Sequence, residues 1–392
     1  MIDLTKVSHH PCIEELTNLL CIKTLNQDKN FYRPLIAYFL AVMASSQRAY
    51  VHTKDRGNIP INLYVINLAP SGYGKGLSTG MLEDITKEFR NYFMNVTFPT
   101  LLDQNLKNLS AQRASLSHLD QQSEYEELLK QSERAGRPIF VFDSGTTPAV
   151  KQYRNKLLLA KCGALNFQCD EIGSNLMANT DLMNSFLELF DKGLIKNKLV
   201  KNTQDNVRDI DLGGNTPANC LLFGTQDKIF DGSATEDLFY SFLEIGYARR
   251  CLFGIGKTMK AKSYYTMSAS EMYNQLIQPN NDATATKWGN TFLKLANPAY
   301  YNKRIELPDD VAIQLLEYRK ECDIEADKLP EFAGTKKAEL SHRHFKALKL
   351  AGALAFIDNA PTITMTCLLQ AIKLVEESGK SLGRDNSCAQ SG

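Results

Sequence analysis

Residues 69–76 read Ala-Pro-Ser-Gly-Tyr-Gly-Lys-Gly and directly follow the apolar run 63–68, Leu-Tyr-Val-Ile-Asn-Leu. A helix-compatible segment starts at Leu77. A strand, a glycine-rich loop and a helix in that order constrain the fold strongly, because this is the context in which such a loop cradles phosphate. Backbone N–H groups of the loop converge on phosphate oxygens, and the helix N-terminus adds a positive field. Pro70, Ser71, Gly72, Tyr73, Gly74, Lys75, Gly76 and Leu77 are therefore the candidate contacts to a nucleoside triphosphate, with Lys75 reaching its β- and γ-phosphates.

The loop departs twice from G-x-x-x-x-G-K-[ST]. Ala69 stands for the first glycine, a mild change, and Gly76 stands for the hydroxyl residue that normally ligates Mg²⁺. Ser78 and Thr79 lie too far along to replace it without rearrangement, whereas water can fill a Mg²⁺ ligand position. A glycine-rich turn that binds nothing is the competing reading.

Apolar stretches that end in polar tips continue the pattern: 138–143, 164–169, 218–224 and 251–255. Helical segments lie between them, which predicts a parallel sheet covered on both faces. The expected fold class is α/β, a RecA/AAA+-like phosphate-loop core with an N-terminal helical collar and a C-terminal all-helical lid. The expected boundaries are a helical region at 1–58, a core at 59–257 with an exposed helical insertion at 102–136, a helical lid at 280–384 and a disordered tail at 385–392.

Asp170-Glu171 ends the run 164–169. In a triphosphatase the Asp completes the Mg²⁺ shell and the Glu takes the proton of the attacking water. Thr225-Gln226 ends the next strand, where a polar pair can sense the γ-phosphate; a simple strand-ending turn is the alternative. Asp143 is another polar strand tip, or a cap or turn residue.

Arg249-Arg250 lies between a helix and a strand. Either Arg suits an arginine finger reaching a neighbour's site, which requires ring-closing contacts. The alternative is a structural ion pair with Glu244 or Asp237. Lys196, Lys198 and Lys201, with Arg208, form a basic expected hairpin that could grip single-stranded DNA, or simply be solvated. Arg343 precedes an apolar helix and could fold onto the nucleotide, or stay at the surface.

The order of these motifs resembles a phosphate-loop family of phage and prophage proteins, found as the helicase half of primase–helicases. The matching residues are 69–76, 142–148, Phe-Gln-Cys-Asp-Glu-Ile-Gly at 167–173, Leu-Leu-Phe-Gly-Thr-Gln at 221–226, Ala-Arg-Arg-Cys-Leu-Phe at 248–253, and the helical stretches 347–355 and 371–375. The resemblance spans residues 10–380. It implies ATP and Mg²⁺ as cofactors, a ring oligomer with a hexamer favoured, and DNA translocation in phage replication beside other replication proteins. An ATP-gated switch or helicase loader, and a degenerate nucleotide-binding protein, are the rival expectations. No primase zinc motif is present, so priming is not expected.

Net charge of +1 removes any global bias toward nucleic acid, so a DNA surface must be a local patch. The nine cysteines contain no C-x-x-C, which argues for thiols rather than disulfides or a zinc framework. His9-His10 and His342-x-His344 read as surface or helix histidines rather than metal ligands. Without an 18-residue apolar run or signal-peptide pattern, no membrane partner and a cytoplasmic location are expected, the host cytoplasm if phage-encoded.

Overall fold

A computed structural model describes residues 3–117, 120–134, 136–173, 176–177, 179–195, 214–257, 260 and 262–382. Helices α1 (Pro11–Thr24) and α2 (Lys29–Ser46) come first, followed by strands β1 (Tyr50–Thr53), β2 (Gly57–Pro60) and β3 (Tyr64–Ala69). Next come α3 (Lys75–Ile85), α4 (Phe98–Ser117), α5 (Gln121–Arg134), α6 (Thr147–Ala160), β4 (Leu165–Cys169), α7 (Thr180–Lys192), β5 (Ala218–Thr225) and β6 (Cys251–Ile255). The C-terminal part contains β7 (Arg304–Glu306), α8 (Asp309–Asp327), α9 (Gly334–Ser341), α10 (Arg343–Ile357) and α11 (Met365–Ser381).

The main sheet is parallel, in the order β4-β5-β3-β6. Every residue of β3, β5 and β6 is buried, as expected of parallel strands covered on both faces. Alternation sends Tyr64 to one face, where its hydroxyl donates to Phe186 O of α7, and Asn67 to the other, where its amide donates to Phe31 O of α2. The free edge of β6 is closed by Ser378 of α11, whose Oγ accepts from Phe253 N at 2.6 Å and donates to Phe253 O at 3.0 Å.

Buried asparagines fix how the layers meet. Asn219 Oδ1 accepts from Leu63 N at 3.0 Å. Its amide donates to Ser45 Oγ at 2.7 Å and to Asn166 Oδ1 at 2.8 Å. The Asn166 amide in turn donates to Phe140 O at 2.8 Å. This chain of bonds ties β5, β4, α2 and the entry to β3 together, and Asn219 is wholly buried.

The strand expected at 138–143 shrinks to one bridge, Phe142 beside Phe167 of β4. Side chains take over the backbone groups that a longer ladder would have used. Ile139 N donates to Tyr153 Oη, that hydroxyl donates to Ile139 O, and Asn166 takes Phe140 O.

The all-helical expectations for 1–58 and 280–384 also miss a second sheet of order β2-β1-β7. Its strands are three or four residues long, and β7 joins β1 in parallel from far along the chain. Within the 102–136 stretch, residues 102–117 and 121–134 belong to two helices, α4 and α5, which share a small apolar cluster of Leu106 and Leu128 with Leu159 of α6. The hairpin expected at 195–212 and the tail at 385–392 fall outside the described residues, apart from Ile195.

The N- and C-terminal helices share one apolar cluster with the sheet. Every residue of α10 is buried. Its Lys349 ammonium donates to Pro60 O at 2.8 Å, Asn62 Oδ1 at 2.6 Å and Phe190 O at 2.9 Å. Burial pushes that ammonium down to about 7. The C-terminal helices thus share their apolar core with the sheet. The cysteines among the described residues are free thiols, and no described helix is long and apolar enough to cross a membrane.

Asn219→Ala would orphan Leu63 N and the Asn166 carbonyl inside the core. Urea unfolding should show a loss of about 2–4 kcal/mol. A loss below about 1 kcal/mol would remove this network from its organising role.

Candidate functional site

The loop after β3 turns through Gly72 (φ 74°) and Gly74 (φ 96°), conformations that a side chain would strain. Gly74 occupies the N-cap of α3, and no side chain caps that helix. Its first amides therefore remain available to an anion. Tyr73 faces inward instead and is 5% exposed. Its hydroxyl donates to Asp28 Oδ2 at 2.7 Å, its ring meets Phe31 with centroids 4.7 Å apart, and the same Asp28 oxygen accepts from Lys257 N at 2.8 Å. Burial, then the Asp28 carboxylate, push the Tyr73 phenol far above its ordinary range. The loop is thus fastened to the α1–α2 junction and to the end of β6. Pro70 is half-buried, while Ser71, Gly72, Gly76 and Leu77 are exposed.

Parallel pairing brings the distant motifs to this loop. β5 runs between β3 and β4, with Ala69 opposite Thr225 and Cys169 opposite Leu222. Ile172 N donates to Phe223 O at 2.6 Å and pins the segment after β4 to β5. Lys75 Nζ then donates to Gly224 O at 3.2 Å and Thr225 Oγ1 at 3.0 Å, and lies 3.8 Å from Glu171 Oε2. Thr225 Oγ1 donates to Glu171 Oε2 at 3.1 Å. Burial lowers the Lys75 ammonium and Glu171 opposes that shift. Open sheets bind ligands at the carboxyl ends of their strands, and this cluster is there.

Lys228 joins this cluster without belonging to any of the sequence motifs. It follows Thr225 by three residues in the short helix Gln226–Ile229, and its Nζ lies 3.7 Å from Glu171 Oε1. A cation placed one helical turn beyond a strand tip was the available signal. Asp28 gave none, because its part depends on tertiary contact with Tyr73. Gln226 is half-buried, and its side chain makes no hydrogen bond among the described residues.

Asp170 is exposed and has no bonded partner among the described residues, and Asp143 accepts from Ser144 Oγ at 2.9 Å. Burial, then the charges of Asp170, Asp143 and Glu171, push the Cys169 thiol up, so these carboxylates share one neighbourhood. Among the described residues no three ligating side chains converge as a metal cage. The Ser78 and Thr79 hydroxyls both donate to Lys75 O at 2.9 Å, so neither supplies what Gly76 lacks.

Two expectations are corrected. Arg343 is 4% exposed, and its guanidinium is spent on the carboxylates of Glu339 and Glu376 at 2.8–3.1 Å. It is a buried network residue, not a nucleotide contact. Arg250 is 6% exposed, donates to Gly246 O at 3.2 Å and pairs with Asp191 at 3.3 Å, not with Glu244 or Asp237. These contacts within the chain fit the structural ion-pair alternative for Arg250, with Asp191 as its partner. Arg249 is only half-buried, makes no ion pair among the described residues, and has an unpartnered Nε. Lys196, Lys198, Lys201 and Arg208 lie outside the described residues.

The histidine pairs are not surface groups. His10 caps α1 by accepting from Cys12 N at 3.2 Å and contacts Asp358, while His9 contacts Glu377. Burial, then Arg249, Lys346 and Arg250, push His342 down to about 4. Burial, then Arg319 and Arg56, do the same to His344.

Comparison with models of known protein families finds no match, and comparison with curated proteins finds none either.

Tyr73→Phe leaves the Asp28 carboxylate short of one buried donor. Thermal or urea unfolding should report a loss of about 1–3 kcal/mol. The histidines set a pH dependence of known sign. Between about pH 4 and 6.5 the unfolded chain binds more protons than the native one at His342 and His344, so stability is lost as pH falls through that window. Urea midpoints measured from pH 7 to pH 4 should fall, and should fall less steeply in His344→Gln.

Proposed function

We propose that this chain binds and hydrolyses ATP at the Gly72–Gly76 loop and couples that turnover to movement on single-stranded DNA. The observation that carries the nucleotide reading is the meeting of Lys75, Thr225 and Glu171 at the tips of adjacent parallel strands, beside an uncapped helix N-terminus. Three residues far apart in sequence converge where phosphate-loop chemistry needs a cation, a polar sensor and a base.

In this reading the loop amides and Lys75 hold the β- and γ-phosphates. The Lys75 ammonium exchanges its bonds to Gly224 O and Thr225 for phosphate oxygens. Thr225 keeps one Glu171 oxygen oriented, and Glu171 takes the proton of the attacking water as that water's oxygen bonds to the γ-phosphorus and ADP leaves. Asp170, exposed and without a partner among the described residues, would hold Mg²⁺, with phosphates and water completing the shell where Gly76 offers no hydroxyl. The ion would neutralise the charge of the transferring phosphoryl group. Arg249, freed of ion pairs where Arg250 is not, is the candidate finger for a neighbouring subunit of a ring. DNA engagement, the ring and a role in replication draw their support from the motif order and the basic segment that contains Lys196, Lys198 and Lys201.

An ATP-gated switch or loader is the second reading. The Tyr73–Asp28 bond favours it, because a nucleotide in the loop would act directly on α1 and α2.

Lys75→Ala should lower ATP affinity at least tenfold, measured by calorimetry; unchanged affinity would sink the site. Glu171→Gln should bind ATP and lose turnover by about 10²–10⁴-fold. Stimulation of wild-type turnover by single-stranded DNA, weakening with salt, supports the motor. Turnover that responds only to a protein partner supports the switch.

A further inference from the structure

We infer that the cleft between the β1–β2 hairpin, the end of α7, α8 and the start of α10 is a second anion site, shaped for the phosphate groups of a small phosphorylated compound. Its volume is about 330 Å³, and Arg56, Lys192, Arg319, His342 and His344 line it together with Asp191 and Asp323. That is room for a compact ligand rather than an ordered water or two. Nothing in this inference depends on the nucleotide reading of the phosphate loop.

Several independent observations converge on an anion. His344 is 8% exposed, and its Nδ1 has no hydrogen-bond partner. A buried imidazole nitrogen left unpaired on the wall of a cleft is open to a ligand partner. The helix that carries it, α10, starts beside this cleft with no side chain capping its N-terminus. Lys192 is exposed and has no ion-pair partner among the described residues.

The local field is positive from two separate vantage points. At His342, Arg249, Lys346 and Arg250 act against Asp191. At His344, Arg319, Arg56 and His342 act together. The two lining acids are already engaged, Asp191 by Arg250 at 3.3 Å and Asp323 by Arg319 at 3.7 Å, and Asp55 sits 3.3 Å from Arg56. Both histidines are held neutral near pH 7, and a bound anion would favour their protonated forms. Binding is therefore linked to proton uptake, and affinity rises as pH falls toward about 4, where the free histidines titrate.

The cleft has little to offer a base. Among the described residues its one phenyl ring, Phe345, is 8% exposed and already covered by the Arg56 guanidinium at 5.6 Å and the Lys349 ammonium at 5.1 Å. Recognition would be of phosphate oxygens, by planar guanidinium groups suited to them.

The test is calorimetry with inorganic pyrophosphate on the Lys75→Ala protein, which weakens the phosphate loop as a competing site. One saturable site is expected, with proton uptake read from the buffer dependence of the heat. Arg56→Gln with Arg319→Gln should weaken it at least tenfold. Both side chains are well exposed, so unchanged thermal melting would show that the variant is folded. Histidine ring NMR should show the His344 signals moving on saturation. Absence of a saturable site in Lys75→Ala, or equal affinity in the double variant, would overturn the inference. Displacement of pyrophosphate by a single-stranded oligonucleotide would assign the cleft to DNA and overturn it as well.

Discussion

The insertion of β5 between β3 and β4 is the constraint on which the rest of the molecule depends. A parallel sheet needs long crossovers, so strands adjacent in space come from distant parts of the chain. Ala69 lies opposite Thr225 and Cys169 opposite Leu222, and every side chain at the strand tips takes its place from those two registers. A slip of one residue would turn Thr225 away from Lys75 and expose a row of buried apolar groups. The asparagine chain through Asn219 and Asn166 guards against such slips, since its donors find acceptors in one alignment.

Charge is distributed unevenly over this frame. At the strand tips, Glu171 sits between two ammonium groups that are partly solvated and exchangeable, Lys75 and Lys228. Deep under α10, by contrast, Glu339 is wholly buried and held by Arg343 and Lys346, with Lys336 at its edge. The first arrangement has bonds that a ligand can replace. The second has every donor committed, and removing a partner would leave a buried charge unpaired. This difference separates Arg343 from the site, although both clusters are rich in cations.

Much of the core was legible along the chain. The loop at 69–76, the apolar strands that became β3, β4, β5 and β6, and the polar tips at Glu171 and Thr225 follow from local rules: glycines for positive φ, continuous apolar runs for doubly covered strands, acids at strand ends. The residues that resisted reading share one property, in that their surroundings are made by distant segments. Tyr73 looked like a loop side chain until Asp28 and Phe31 packed beside it. Arg250 looked interchangeable with Arg249 until Asp191 took one of them. The 138–143 run had the composition of a strand, yet Tyr153 and Asn166 satisfied its backbone instead.

By itself, the sequence determined the four strands of the main sheet, the position of the glycine loop between β3 and α3, and the set of polar groups available at the strand ends. These depend on backbone sterics and on hydrophobic periodicity, which act over a few residues. Tertiary structure alone decided which polar groups meet, which cations are buried, and where clefts remain. Hydrogen bonds and desolvation depend on what lies within a few ångströms in space, and neighbours along the chain do not reveal that.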